Sequence, residues 1–141
     1  MPGYHYSYLV GALIFFFPSP AQLQKKLDEN FPRAALEFMQ QQHLEGRIFN
    51  QYGWGGFMEW NAPGLKTFID GRGEIRKGTT ADYAKAFLVQ SPFEILDKYG
   101  IQYVLLAPTQ PLSYVLQHSP AWRPVYTDNV AVLFEREGPK R

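Results

Sequence analysis

A three-layer α/β/α domain, with a mixed and mainly parallel sheet that finishes in an antiparallel hairpin, is the fold this sequence predicts. Three observations carry that prediction. Helix-forming and strand-forming segments alternate from Phe31 onward, which implies right-handed β-α-β crossovers. The run Ile101–Ala107, IQYVLLA, is almost unbroken in apolar character, as expected of a central strand covered by helices on both faces. The chain then closes on two β-rich runs, WRPVYT and VAVLFER, joined by Asp128-Asn129, a connection of the kind that makes a tight hairpin.

The elements follow in order. Tyr8 to Phe17, YLVGALIFFF, is a continuous apolar run closed by Pro18-Ser19-Pro20 and is shorter than the roughly 20 residues that cross a bilayer. Met1 to Ser7 holds no Lys or Arg, so the basic start of a signal peptide is missing. Two readings stay open for segment 1–17: a buried strand or helix of the domain, or the last turns of a membrane helix that begins upstream. Residues 18–30 form a polar linker, residues 31–136 the α/β domain, and residues 137–141 a flexible tail.

Within the domain, Phe31-Pro32 opens a helix with Pro in its first turn, and Phe31, Ala35, Phe38 and Met39 share a face until Gly46 stops it. Arg47–Tyr52 reads as a strand between Gly46 and Gly53, and Leu65–Ile69 as a second between Pro63-Gly64 and Asp70-Gly71. Thr79 or Thr80 caps the next helix, with Thr79 and Asp82 spaced as a capping box. Ser91-Pro92-Phe93-Glu94 places a cap, a first-turn proline and a reaching glutamate, so another helix starts there and ends at Gly100. After the central strand, a short helix runs from about Pro111 to His118, with Leu112, Val115 and Leu116 on one side.

The 141 residues fit one domain around one core, since single domains commonly run about 100–150 residues. A hydrophobic share of 45% against 19% charged is that of a foldable chain, far from disordered compositions. Net charge is +1 and the Lys and Arg residues are scattered, which excludes the basic stripe that nucleic acid requires. The absence of cysteine excludes disulfides, thiolate metal sites and a Cys nucleophile, while leaving the compartment open. His5, His43 and His118 are dispersed, and His43-Leu44-Glu45 has no second ligand cluster, so no metal or other cofactor is expected.

Chemistry concentrates in Asn50 to Glu74. Strand Arg47–Gln51 delivers Tyr52, Gly53, Trp54, Gly55 and Gly56 to one sheet edge, and strand Leu65–Ile69 delivers Asp70, Gly71 and Arg72. Thr109 follows the central strand. If the strands are parallel neighbours, these turns meet where ligands bind in open α/β sheets, beyond the carboxyl ends. A phosphate cradle is poorly supported, because the third glycine of the dinucleotide fingerprint would fall at Met58. A sugar or phospho-sugar contact fits the residue types better: Tyr52 or Trp54 offers a stacking face, and Asp70 and Arg72 offer directional hydrogen bonds. The competing reading is structural, with glycines at positive φ, Trp54 and Trp60 filling the core, and Asp70-Gly71 as a turn.

No catalytic residue is assigned. None of the serines sits in a nucleophile-elbow pattern, and Glu45, Asp70 and Glu74 have no carboxylate partner in the sequence.

FPRAALEFM, RIFNQYGWGGFMEW, KTFIDGRGE, LDKYGIQYVLLAP and WRPVYTDNVAVLFER together resemble the soluble C-terminal domain of bacterial multi-pass membrane proteins in the dolichyl-phosphate-mannose-protein mannosyltransferase-like group. These are glycosyltransferases of the C superfamily. The resemblance runs from about Phe31 to Arg136. More distantly, Tyr52-Gly53 is similar to the end of the Trp-Trp-Asp-Tyr-Gly motif in the catalytic subunit of oligosaccharyltransferase. Phe49, Asn50 and Gln51 stand where Trp, Trp and Asp would be, so acceptor-peptide recognition does not carry over. The resemblance implies a polyprenyl-phosphate sugar donor, a catalytic acid on a membrane loop absent from this chain, and an accessory role for the domain. It also implies attachment to a membrane through the N-terminal apolar segment, on the extracytoplasmic (periplasmic) side, with a glycan or polyprenyl-phosphate sugar as partner. The alternative is a free-standing α/β ligand-binding or scaffolding module without enzyme activity.

Overall fold

The computed structural model describes residues 19–69 and 78–138; the apolar segment 1–17, the turn at Asp70 to Arg72 and residues 139–141 lie outside them. The chain divides into two units, Met1–Asn30 and Phe31–Arg141. In the first, the polar stretch expected as a linker is a helix, α1 (Pro20–Asn30). A reciprocal cap starts it. The Ser19 amide donates to Gln22 Oε1 at 2.9 Å, and the Gln22 amide donates to Ser19 Oγ at 3.2 Å. Pro20 then occupies the first helical position, where its missing N–H costs nothing.

The second unit runs α2 (Arg33–Gln41), β1 (Gly46–Asn50), a 3-10 turn (Tyr52–Trp54), α3 (Gly55–Asn61), β2 (Leu65–Thr67), α4 (Thr79–Phe87), α5 (Pro92–Lys98), β3 (Tyr103–Leu106), α6 (Pro111–Gln117), β4 (Trp122–Thr127) and β5 (Val132–Arg136). The five strands form one sheet in the order β2-β1-β3-β5-β4. β1 pairs in parallel with both β2 and β3, and β5 is antiparallel to both β3 and β4. Four strands therefore point one way, and β5 opposes them. β3 is central and buried along its length, as its apolar run predicts.

The period-2 alternation of the strands sorts the core into two halves. Phe49, Val104, Leu106, Val132 and Phe134 meet Tyr83 and Ala86 of α4, Ile95 and Leu96 of α5, and Leu112 and Leu116 of α6. Their neighbours Ile48, Tyr103, Leu105 and Leu133 meet Ala35, Leu36 and Met39 of α2 and Met58 of α3. Three layers result. Each large side chain so buried contributes about 1.5–3 kcal/mol.

Several helix and turn signals work differently from their sequence pattern. α4 is preceded by Gly78 at φ 96° with no side-chain cap, so the Thr79–Asp82 box does not form. Asp82 instead accepts from Lys98 Nζ at 2.8 Å and Tyr99 Oη at 2.7 Å, which hold its carboxyl below the ordinary value. Ser91 does stand at the cap position of α5, but at φ 50° and ψ 45°. A cap needs extended backbone to aim its oxygen at the first-turn amides, so the expected Ser91–Glu94 box is not made. The end of α5 is as predicted. Gly100, at φ 60°, donates to Asp97 O, and Ile101 donates to Leu96 O, the paired bonds that finish a helix at a left-handed glycine.

The hairpin connection is longer than the two residues expected. Asp128 N–H donates to Ala131 O at 2.9 Å, and Asp128 Oδ1 accepts from Val130 and Ala131 amides at 2.7 and 2.8 Å. The aspartate side chain organises a turn that delays β5 to Val132. Burial pulls the Asp128 carboxyl upward, but the Tyr126 hydroxyl and these amides outweigh it and leave the group below its ordinary value.

Candidate functional site

The carboxyl ends of β2, β1 and β3 lie side by side, and the polar side chains at the end of β1 tie them together. Asn50 is fully buried. Its Nδ2 donates to Ile69 O at 2.8 Å and to Gln51 O at 3.1 Å. Its Oδ1 accepts from the Phe68 and Ile69 amides at 3.0 and 3.3 Å. The side-chain amide thus imitates a peptide group and continues the β1–β2 pairing past Thr67, where the strand ladder stops.

Gln51 does the same on the other side. Its amide donates to Leu105 O at 3.0 Å, and its Oε1 accepts from the Ala107 amide at 2.9 Å. Ser113, at the start of α6, donates to Ala107 O at 2.9 Å. From α4, the Tyr83 hydroxyl donates to Asn50 O at 2.9 Å. Burial pushes the Tyr83 phenol well above its ordinary value, with the Tyr52 backbone partly opposing. The ring sits in a stack of aromatics: Phe49 lies 4.8 Å away, Phe87 5.6 Å and Phe68 6.1 Å between centroids.

On this footing the predicted residues separate. Tyr52 leaves the edge 53% exposed, its ring 6.4 Å from that of Tyr83. Trp54 is 5% exposed and packs with Ile48, Met58 and Leu65, so it offers no free face for stacking. Asp70 and Arg72 lie outside the described residues. Asp70 directly follows Ile69, whose amide and carbonyl Asn50 holds, and β1 and β2 are parallel neighbours, the strand arrangement on which the expected meeting of the two turns depends. Thr109 is exposed beyond β3.

Gly53, Gly55 and Gly56 are not at positive φ. They run through the 3-10 turn into α3, a helix that the sequence pattern conceals because Gly55 and Gly56 open it. Trp60 reverses the structural expectation: it stands on α3 at 87% exposure, not in the core. Asn50, Gln51 and Tyr83 were not singled out from sequence. The available signal was two amide side chains ending an otherwise apolar strand, where a buried polar group must find backbone partners.

Among the described residues, no group of three or more His, Asp or Glu is placed to hold a metal ion, and no helix is long and apolar enough to cross a membrane. The fold is a three-layer α/β domain in which the carboxyl ends of three parallel strands lie side by side. The same fold is found in the C-terminal globular domain of an oligosaccharyltransferase from Archaeoglobus fulgidus, at a TM-score of 0.57 and 14% sequence identity, over 74% of this chain and 96% of that one. No protein-family model and no curated protein matches the chain.

Proposed function

We propose that this chain is the accessory extracytoplasmic domain of a polytopic membrane glycosyltransferase, assisting acceptor or donor binding and not catalytic alone. The observation that carries the reading is the architecture shared with an oligosaccharyltransferase C-terminal globular domain over nearly all of that domain. The resemblance of Phe31 to Arg136 to the C-terminal domains of dolichyl-phosphate-mannose-protein mannosyltransferase-like proteins supports the same role. In this reading the donor is a polyprenyl-phosphate sugar, and the segment through Phe17 joins the domain to its membrane region.

The ligand edge is the carboxyl end of β1 and β2. Tyr52, Asp70 and Arg72 supply contacts, while Trp54, buried with Ile48, Met58 and Leu65, holds the turn in place. Asn50 and Gln51 position the edge; the Asn50 side-chain amide and Gln51 Oε1 are taken up by backbone partners, which leaves the ligand to residues farther along each turn.

Titration of the full chain with polyprenyl-phosphate mannose in detergent, and with soluble oligosaccharides, tests this role. Binding weakened by Tyr52→Ala, Asp70→Ala or Arg72→Ala is the expected result. Binding of neither class, or equal binding by all three variants, removes the site. The membrane context is checked separately: the reading frame upstream of Phe17 should encode several hydrophobic segments, and a frame without them removes that part of the proposal.

A further inference from the structure

We infer that the crevice between the carboxyl ends of β1 and β3 is a subsite for a neutral saccharide ring, with Tyr52 on one lip and Thr109 on the other. The chain leaves β1 for α3, in the layer that holds Trp54 and Met58, and leaves β3 for α6, whose Leu112 and Leu116 lie in the opposite layer. The two strands are parallel neighbours. In the order β2-β1-β3-β5-β4, the connection from β1 leads to the strand on one side of the pair, and the connection from β3 leads to the other side. Connections that part in this way leave a cleft beyond the strand ends, the switch point at which open α/β sheets hold their ligands.

Gln51 bridges the cleft at its base: it follows the last β1–β3 pair, Asn50 with Leu105, and its Oε1 reaches the Ala107 amide at 2.9 Å. The β3 lip is a turn closed by the Gln110 amide on Ala107 O at 3.1 Å, with Pro108 and Thr109 at its corners. Thr109 is exposed, and neither its amide nor its hydroxyl has a partner among the described residues. On the β1 lip, Tyr52 is half exposed, and its hydroxyl likewise has no partner among them. Charge selects the ligand. Gln51–Gly53 and Ala107–Gln110 contain no Asp, Glu, Lys or Arg, so neither lip offers a cation to a phosphate or a carboxylate to an ammonium group. A neutral sugar fits what is present: a tyrosine face for its C–H surface, and hydroxyl and amide groups for its hydroxyls. Neighbouring strands stand about 4.8 Å apart, so a single monosaccharide reaches both lips.

The inference rests on the proposed role for its ligand class and sets the sugar one strand over from the β1–β2 edge. The full chain, with Thr109→Val, Tyr52→Ala and Asp70→Ala variants, is titrated with mannotriose, maltotriose, chitotriose and inorganic phosphate by two-dimensional NMR, which also reports an intact fold. The expected result is weak binding of at least one trisaccharide, with the largest shifts at the Tyr52, Gly53, Thr109 and Gln110 amides. Tyr52→Ala should weaken it about tenfold and Thr109→Val about threefold or more. Sugar binding whose shifts centre on Lys66 to Ile69, lost in Asp70→Ala and unchanged in Thr109→Val, overturns this inference and leaves the proposed role standing. If no trisaccharide binds, this inference is overturned, and the proposed role is judged by the polyprenyl-phosphate mannose titration alone. Inorganic phosphate that shifts the Thr109 and Tyr52 amides where the sugars do not overturns the neutral ligand class.

Discussion

Replacing Asn50 by Leu tests the claim that one side-chain amide holds the β1 and β2 ends together. Leu fills a similar volume and can neither donate nor accept. Four hydrogen bonds vanish, but their loss is unequal. The Phe68 amide also donates to Ile48 O at 2.9 Å, and Gln51 O also accepts from the Trp54 amide at 3.0 Å, so both keep a partner. The Ile69 amide and carbonyl lose the bonds that Asn50 supplies in a buried setting. Each orphaned group costs about 1–3 kcal/mol, partly offset by the apolar gain of Leu, so the expected loss is about 2–4 kcal/mol. Urea unfolding of the full chain should show a lower midpoint at unchanged slope, and hydrogen exchange at Ile69 should accelerate. A loss below about 1 kcal/mol would refute the assignment of Asn50 as the tie. Asn50→Asp sharpens the test, because it keeps the acceptor but sets a carboxylate against Ile69 O. Its destabilisation should be largest at neutral pH and shrink as acid protonates the new side chain.

Trp54→Ala should cost about 3–5 kcal/mol by emptying a core position, while Trp60→Ala should stay within about 0.5 kcal/mol of the parent; equal costs in urea would contradict their opposite burial. Ser91→Gly should stabilise by about 0.5–1 kcal/mol, since it removes the strain of φ 50° at a residue whose side chain makes no cap bond, and an unchanged melting temperature would show that the strain is absent. Burial and the Asp128 hydrogen bond push the Tyr126 phenol up to about 12. This value lies above the ordinary phenol near ~10, so its contribution is complete below that ordinary value and lost as pH rises through the folded one. Tyr126→Phe should lessen the fall in stability over that alkaline window; an identical fall in both proteins would place the titrating group elsewhere.

Patterns of apolar residues made the layers legible. The run Ile101–Ala107 had to be central, and Leu112 and Leu116 had to face inward, because burial follows from periodicity alone. Patterns of polar residues were less reliable guides. Thr79, Ser91 and Asp82 occupy cap-like spacings, yet Gly78 and Ser91 adopt left-handed backbone that no spacing rule reports, and Asp82 is drawn to Lys98 and Tyr99 on the neighbouring helix. At Ser19–Gln22 the opposite occurred: the box forms, in a stretch whose polarity suggested a linker. In the corner, low helix propensity at Gly55 and Gly56 hid α3, and with it which tryptophan is buried. Alternation left the parallel adjacency of β1 and β2 as a condition, which the strand pairing meets; the inward use of Asn50 and Gln51 depended on pairings between strands, which one sequence does not display.

Those pairings bear on where ligand chemistry can reside. In a parallel sheet the edge beyond the strand ends exposes unpaired peptide groups, and a ligand or a side chain must satisfy them. Here Asn50 answers Ile69, Gln51 answers Ala107, and Tyr83 answers Asn50. These groups already have partners, so a ligand gains little by competing for them directly above the strands. Under the proposed function, recognition falls to side chains that the ties leave in water, and Tyr52 and Trp60 are the two large aromatics so placed among the described residues of this corner. Any acceptor or donor sugar held by this domain should therefore perturb the resonances of those two residues more than those of Asn50 and Gln51. A ligand whose binding instead shifted the Asn50 side-chain amide would mean that the edge opens on binding, and the ties would be a latch and not a foundation.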